Sequence, residues 1–499
     1  MLRCQTHSAP SPPPPKSLSS SVSFKGWRFA TKKFKLWAMK MAALHRGIWR
    51  QAGIFEAVMA STFRISKNTD LVVGIAEKWC PDTNTFVFPW GEATITLEDV
   101  MLLLGLSVLG SPVFAALNSS GKKIEAELDH EWCAIKRKDK PHVSQDVFPI
   151  AIHLSRGTRV ALAPAVLAHL YAELTLLKKH ITSFSESTNT ASIDLTALFK
   201  LVQVWTWERF TELHQEPNPL LKYEPRVARW SDLKQTTTDV RLILDNSKID
   251  SFKWRPYTKT IENWTFPLFY PERDMRVPVS PILDDEIISF ARCMKASVLV
   301  GVDYVERADY VERYFPNRVA SQFGMLQDVP FNVHRNNLSR GEAWNDYSKP
   351  INAVELYIPS RSIIPRVTPR FCDWWRKTSR EYQNSSSKEK GVVVESCETS
   401  NARNIIGDCA SFVPSGSKMN RTSEDEMFIA EYVNKRKCME EARGKRRTYM
   451  DQTRDIGSKT MAGESGKNMA LIPFDGNKSS DPSLGAYWYV FFLPHHLIP

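Results

Sequence analysis

His130 and Cys133 stand three residues apart with Glu131 between them, a spacing that would bring imidazole and thiol onto one face of a helical turn toward a metal ion. A metal site needs further ligands close by, and no second pair follows, so an ordinary helix surface is the simpler reading. Asp284, Asp285 and Glu286 offer the carboxylates that a two-metal nuclease would need. They also follow Ser280-Pro281, where acidic residues in the first turn of a proline-started helix offset its dipole without any catalytic duty. No GxxxxGK[ST] phosphate loop, HExxH, GxSxG elbow or GxGxxG turn is present. No lysine has a context that suggests a pyridoxal Schiff base. Catalytic residues, metal ligands and cofactors are therefore left unassigned.

Aromatic residues stand out instead: 15 Trp, 25 Phe and 14 Tyr. They gather in Val204-Trp205-Thr206-Trp207-Glu208-Arg209-Phe210, Trp254-Arg255-Pro256-Tyr257 and Asp373-Trp374-Trp375-Arg376. Interleaved arginines and rings could stack on nucleic-acid bases. The commoner outcome is a tryptophan core edged by stacked or salt-bridged arginines.

The elements that must hold these residues read as mainly helical, with one or two small antiparallel hairpins. Phe34, Trp37, Met41, Leu44 and Ile48 recur at three- and four-residue steps and predict one apolar helix face, with Lys32, Lys33, Lys35 and Lys40 elsewhere. This reads as the first core helix, because Trp27, Trp37 and Trp49 need burial. A basic amphipathic helix could also lie on an acidic membrane or in a calmodulin-like groove. Thr85–Phe88 and Ala93–Thr96 flank Pro89-Trp90-Gly91 as a short hairpin. Thr96 then caps a helix with Glu98 and Asp99 in its first turn. Val100 to Leu117 carries no charge, but Gly105, Gly110 and Pro112 interrupt it, so a buried helix and a turn are expected rather than a membrane span. Pro164–His180 has apolar positions at 167, 170, 171, 174 and 177, and Leu195–Leu213 continues similarly. Asp303–Ala308 is nearly repeated as Asp309–Tyr314, which reads as slippage that lengthened a helix or loop.

Charge is uneven along the 499 residues. Lys and Arg number 66 against 55 Asp and Glu, a net of +11. Residues 1–55 hold ten of those basic residues and no acidic one, and 435–447 hold seven against two. The remaining body is close to neutral, which argues against a wholly basic nucleic-acid-binding surface. With 42% hydrophobic and 24% charged residues, and Gly and Pro together roughly a tenth of the chain, a globular core is expected. Eight scattered cysteines form no CxxC pair, so reduced thiols are expected. The Ser-rich, acid-free start has no signal-peptide core and competes as an organelle address with a plain tail.

Several spaced blocks resemble the plant mobile domain. They begin with Trp49, Ala52-Gly53-Ile54, Ala60–Ile65, Glu77-Lys78-Trp79-Cys80 and Thr83–Phe86, and run on through Trp90–Val100, Leu104-Gly105-Leu106 and Gly110–Val113. Val204–Phe210, Arg229-Trp230, Trp254–Tyr257 and Phe323–Pro330 are similar to its later blocks, giving coverage of about residues 25–376. The resemblance implies a non-enzymatic nuclear interaction protein of transposon-related origin. The role implied is transposon silencing, genome stability and meristem maintenance, in association with a long-form relative of the type 7 serine/threonine phosphatases. Relatives carry the labels "aminotransferase-like" and "phosphatase 7 long form homolog". The phosphatase metal motifs GDxHG, GDxVDRG and GNHE are absent here, so neither activity is supported. The chain departs from the family at Leu326, where an acidic residue is usual, in the duplication, and in its tail. Alternatives are a cryptic metal-dependent nuclease or phosphohydrolase of mobile-element origin, a transposon passenger protein without host function, or a direct DNA binder through the basic ends.

The expected organisation is a Ser/Pro-rich tail over 1–24, the domain over 25–376, a linker over 377–422, a basic-ended helix over 423–447, and a tail with an apolar end over 448–499. Lys435, Arg436 and Lys437, with Lys445, Arg446 and Arg447, form two clusters that suit an importin groove and mark a candidate nuclear-import signal.

Overall fold

The computed structural model describes residues 15–378 apart from 137–144, 187–190, 222–223, 234–238, 280–283, 303–308, 332–337 and 352–354. The linker from 379 on, the basic-ended helix with Lys435, Arg436, Lys437, Lys445, Arg446 and Arg447, and the apolar end lie outside the described residues. So do Ser280-Pro281 and the first copy of the duplication.

Structure begins earlier than the composition suggested. α1 (Pro15–Ser21) and β1 (Val22–Phe24) fall within the stretch read as tail, and β1 buries Val22 and Phe24. Thr31 accepts a hydrogen bond from the Phe34 N–H and opens α2 (Lys32–Gln51). α3 (Phe55–Ser61) and α4 (Thr69–Ala76) follow, the latter capped by Asn68. β2 (Trp79–Cys80), β3 (Thr85–Phe88) and β4 (Gly91–Ala93) make a three-stranded antiparallel sheet. The hairpin is where it was expected, but its second arm stops at Ala93. The Gln322 side-chain amide takes over at Thr94, donating to its carbonyl and accepting from its N–H, both at 2.9 Å.

Thr96 and Asp99 form a capping box at the start of α5 (Leu97–Leu104). The helix ends at Gly105, which has φ 68° and lies so close to α3 that a Cβ would meet the Ala57 nitrogen at 2.7 Å. This explains the break in the uncharged run, and among the described residues no helix is long and apolar enough to cross a membrane. α6 (Ser119–Lys136) and α7 (Phe148–Ser155) lead to α8 (Leu162–Glu186). α8 buries Leu167, Leu170, Tyr171, Leu174 and Leu177, the positions its period predicted. β5 (Ile193–Leu195) pairs in parallel with β1, and α9 (Lys200–Arg209) completes the central helices.

α10 (Val240–Asp245) and β6 (Met275–Pro278) precede α11 (Asp285–Met294). Asp284 is the cap of α11 and only Asp285 and Glu286 are inside it, a correction to a helix expected to start near Pro281. β7 (Ser297–Val302) and β8 (Asp309–Tyr314) form a second antiparallel hairpin. The second copy of the duplication is thus a strand, not an extended helix or loop. Its alternation explains why: Tyr314 is buried and donates to the Cys293 carbonyl at 2.6 Å, and Tyr310 stacks on His169. β9 (Leu326–Gln327), α12 (Arg340–Ser348), β10 (Glu355–Ile358) and β11 (Arg366–Val367) close the described chain, followed by a helical stretch over 369–378. β10 pairs antiparallel with β6, and β11 pairs in parallel with β9. The mainly helical expectation holds, with more small strand pairs than two.

The aromatic blocks converge on the first hairpin. Phe86 meets Trp205 at 5.2 Å, Phe88 meets Phe210 at 5.3 Å, and Trp90 meets Phe252 at 4.9 Å and Trp254 at 5.3 Å between ring centroids. The Trp90 indole N–H also donates to Ser247 Oγ at 3.0 Å. Replacing Trp90 by Ala should therefore cost ~3–5 kcal/mol of stability, read by urea unfolding. An unchanged midpoint would mean that the ring carries no packing energy.

Candidate functional site

Three sequence-distant blocks meet at a sealed set of charges. Asp99 in the first turn of α5 accepts from the Thr96 N–H at 2.7 Å and hydroxyl at 2.8 Å on one oxygen. Its other oxygen accepts from Arg209 Nη2 at 2.7 Å and the Tyr257 hydroxyl at 2.5 Å. Arg209 Nη1 donates onward to the Lys253 and Trp254 carbonyls. One residue earlier on α9, Glu208 accepts from Arg226 Nε at 3.1 Å, Arg226 Nη2 at 2.8 Å and the Trp230 indole at 2.8 Å. Burial alone would raise the Glu208 carboxyl, but Arg226, Arg229 and Trp230 hold it below its usual range. The arginines of Val204–Phe210, Arg229-Trp230 and Trp254–Tyr257 thus serve the core or its edge. Trp205, Trp230, Tyr257 and Arg209 are all buried and have no face to offer a base.

Glu98 sits beside this cluster and behaves differently. Its carboxylate accepts from the buried Tyr270 hydroxyl. Burial pushes its carboxyl up to about 7, the Tyr270 bond pulls the other way, and the Asp99 charge adds to the rise. Arg255 is buried nearby, donates to the Ser360 carbonyl at 2.6 Å, and is pulled down by burial. Gly324, at φ 80°, backs onto it: a Cβ there would lie 2.7 Å from the guanidinium carbon. Neither Glu98 nor Tyr270 was singled out from sequence for chemistry, since their contact spans 172 positions.

The candidate metal residues are not brought together. His130, Glu131 and Cys133 lie exposed on α6. Asp284 accepts from the Glu286 N–H at 2.8 Å as a helix cap, Asp285 pairs with Arg159 at 2.6 Å, and Glu286 accepts from the Leu268 N–H at 2.8 Å. Among the described residues no group of three or more His, Cys, Asp or Glu side chains could hold a metal ion.

One surface does have the character of a contact site. α2 buries Phe34, Ala38, Ala42 and Trp49, not the full face predicted for it. Leu44 is 64% exposed and Ile48 40%, with Leu36 and Met39 exposed as well. Phe34, Ala38, Ala42 and Trp49 share one face that is rotated from the expected one, and the kink at His45, with φ −114° and ψ 17°, leaves Trp49 on that same face. The small Ala38 and Ala42 seat it close to its neighbours. Lys32, Lys33 and Lys40 are exposed on the same helix, and no acidic residue lies on it. Exposed apolar side chains rimmed by one sign of charge suit an acidic, amphipathic partner.

A family model described as plant mobile domain matches residues 53–145 and 137–376. Over 316 residues the chain is 24% identical to Protein MAINTENANCE OF MERISTEMS of Arabidopsis thaliana, covering 54% of this chain and 60% of that protein. It is 25% identical over 329 residues to Protein MAIN-LIKE 2 of the same plant, covering 54% and 44%. A third Arabidopsis thaliana protein, named Serine/threonine-protein phosphatase 7 long form homolog, is 24% identical over 316 residues, covering 52% and 22%. The chain spans less than two thirds of the length of each of these relatives. No solved structure matches it.

The raised Glu98 carboxyl has a consequence for stability. The folded state keeps a proton that the unfolded chain releases, so the contribution of Glu98 is full below its ordinary value of 4.5 and is lost as pH rises toward about 7. Glu98→Gln removes that loss. The variant's unfolding free energy should gain on the wild type's by about 2–3 kcal/mol between about pH 4.5 and 7.5, measured by urea denaturation. A difference that stays constant across that range would contradict the assignment.

Proposed function

This chain belongs to the plant mobile domain family, and from that premise we propose that it is a non-enzymatic nuclear interaction protein acting in meristem maintenance and transposon silencing. The exposed apolar side of α2, set among lysines, is the observation that carries this reading. Its partner is a long-form relative of the type 7 phosphatases, which docks an acidic amphipathic segment there. The employment of Asp284, Asp285 and Glu286 in a cap, an ion pair and a backbone contact favours this over a metal-dependent nuclease. The name of the relative Protein MAINTENANCE OF MERISTEMS supports the meristem role. Lys435, Arg436, Lys437, Lys445, Arg446 and Arg447 supply the import signal read by an importin.

Affinity purification of the tagged full chain from isolated plant nuclei tests both parts. The chain should be recovered from nuclei together with a phosphatase-like protein. The double variant Leu44→Glu, Ile48→Glu should keep the melting temperature, because both positions are exposed, and lose at least about tenfold of the partner. Undiminished capture by the variant would overturn the docking surface. Recovery of the chain from plastids or mitochondria alone would overturn the nuclear assignment.

A further inference from the structure

α3, the end of α5, α9 and the Arg226–Trp230 turn leave a pocket open to solvent. Ala57, Ala60, Leu103, Leu106, Val204 and Val227 give it an apolar wall. A single charged side chain lines it, Lys200, the first residue of α9. Half-buried Lys200 has no carboxylate partner among the described residues, in contrast to the ion-paired Arg209 and Glu208 further along the same helix. Burial is the sole cause acting on its ammonium, and it pulls the group down to about 8. An apolar wall with one convergent charged group is the general form of a site for an amphiphile.

We propose that this pocket binds a small aliphatic monocarboxylate, with the carboxylate paired to the Lys200 ammonium and the hydrocarbon chain against Leu103, Leu106, Val204 and Val227. The site is separate from the α2 surface, and the proposal stands whether or not that surface docks a partner. A lone ammonium against an apolar wall is poorly solvated, and a carboxylate brought in with its own apolar chain supplies the missing counter-charge while covering the wall. A dicarboxylate or a phosphorylated ligand would carry a second charge with no second cation in the wall to meet it. The bound carboxylate favours the charged lysine, so a ligand arriving above pH 8 must draw a proton onto the site.

Octanoate is the probe, with neutral octanamide as its control, titrated into the full chain by calorimetry. Octanoate should bind saturably, with an affinity nearly flat from about pH 6 to 7.5 that then falls toward tenfold per pH unit above 8. Octanamide should show no such slope. Lys200→Met keeps the volume and the apolar wall, and should lose at least about tenfold of octanoate affinity while retaining octanamide binding. Should that variant fail to fold, the pH slope of the wild type decides alone. Absence of saturable octanoate binding, a flat profile through pH 9, or equal octanoate affinity in Lys200→Met would overturn the proposal.

Discussion

Asp99 and Arg209 have side chains with no exposed surface at all, and the arrangement of the domain follows from satisfying them. Removing a carboxylate and a guanidinium from water costs several kcal/mol per ion, so both must find partners inside. Asp99 finds them in its own helix cap, in α9 and in Tyr257; Arg209 finds them in Asp99 and the carbonyls of residues 253 and 254. Arg209 Nε alone has no hydrogen-bond partner. The rings of Trp205, Phe252 and Tyr257 lie 5.5, 5.6 and 5.7 Å from the guanidinium, so its faces are attended by π-systems. α5, α9 and the 252–257 segment are thereby fixed to one another, and the first hairpin packs its aromatic side onto the same junction.

Two neighbouring carboxylates on α5 show how environment divides identical chemistry. Asp99 meets a cation and three other donors. Glu98, one residue away, meets the Tyr270 hydroxyl in a buried setting that favours its neutral form. Arg255 stands in the same region with Nε and Nη2 lacking hydrogen-bond partners, so the charges around Glu98 are less completely paired than those around Asp99.

Local patterns in the chain revealed local structure well. The period of α8 picked out Leu167, Leu170, Tyr171, Leu174 and Leu177 as core, and the Thr96 cap and the Trp90 turn are where their residue types put them. Three of the spaced blocks that mark the family, Trp90–Val100, Val204–Phe210 and Trp254–Tyr257, meet at Asp99, although nothing in their spacing said which arginine would pair with which acid. The α2 face lies to one side of the expected one because Ala38 and Ala42 turn to the core, and small residues weigh little in an apolar pattern dominated by Leu44 and Ile48. β1 with β5 and β9 with β11 were invisible, since each strand is two or three residues long and its partner is remote in sequence. The Lys200 pocket escaped for a similar reason. Its wall comes from four separate segments, and a lysine opening a helix looks unremarkable until the apolar side chains around it are known.

The interaction reading and the pocket both presuppose a domain held by its charged centre. A double-mutant cycle on Asp99→Asn and Arg209→Met, followed by urea unfolding, addresses that centre directly. Each single change leaves a buried group without its partner and should cost ~3–5 kcal/mol. The double variant should lose less than the sum of the two by at least about 2 kcal/mol, because it removes both ends of one interaction. Strictly additive losses would mean that the pair does not couple the two helices, and the account of the fold would have to be rebuilt on the aromatic packing alone.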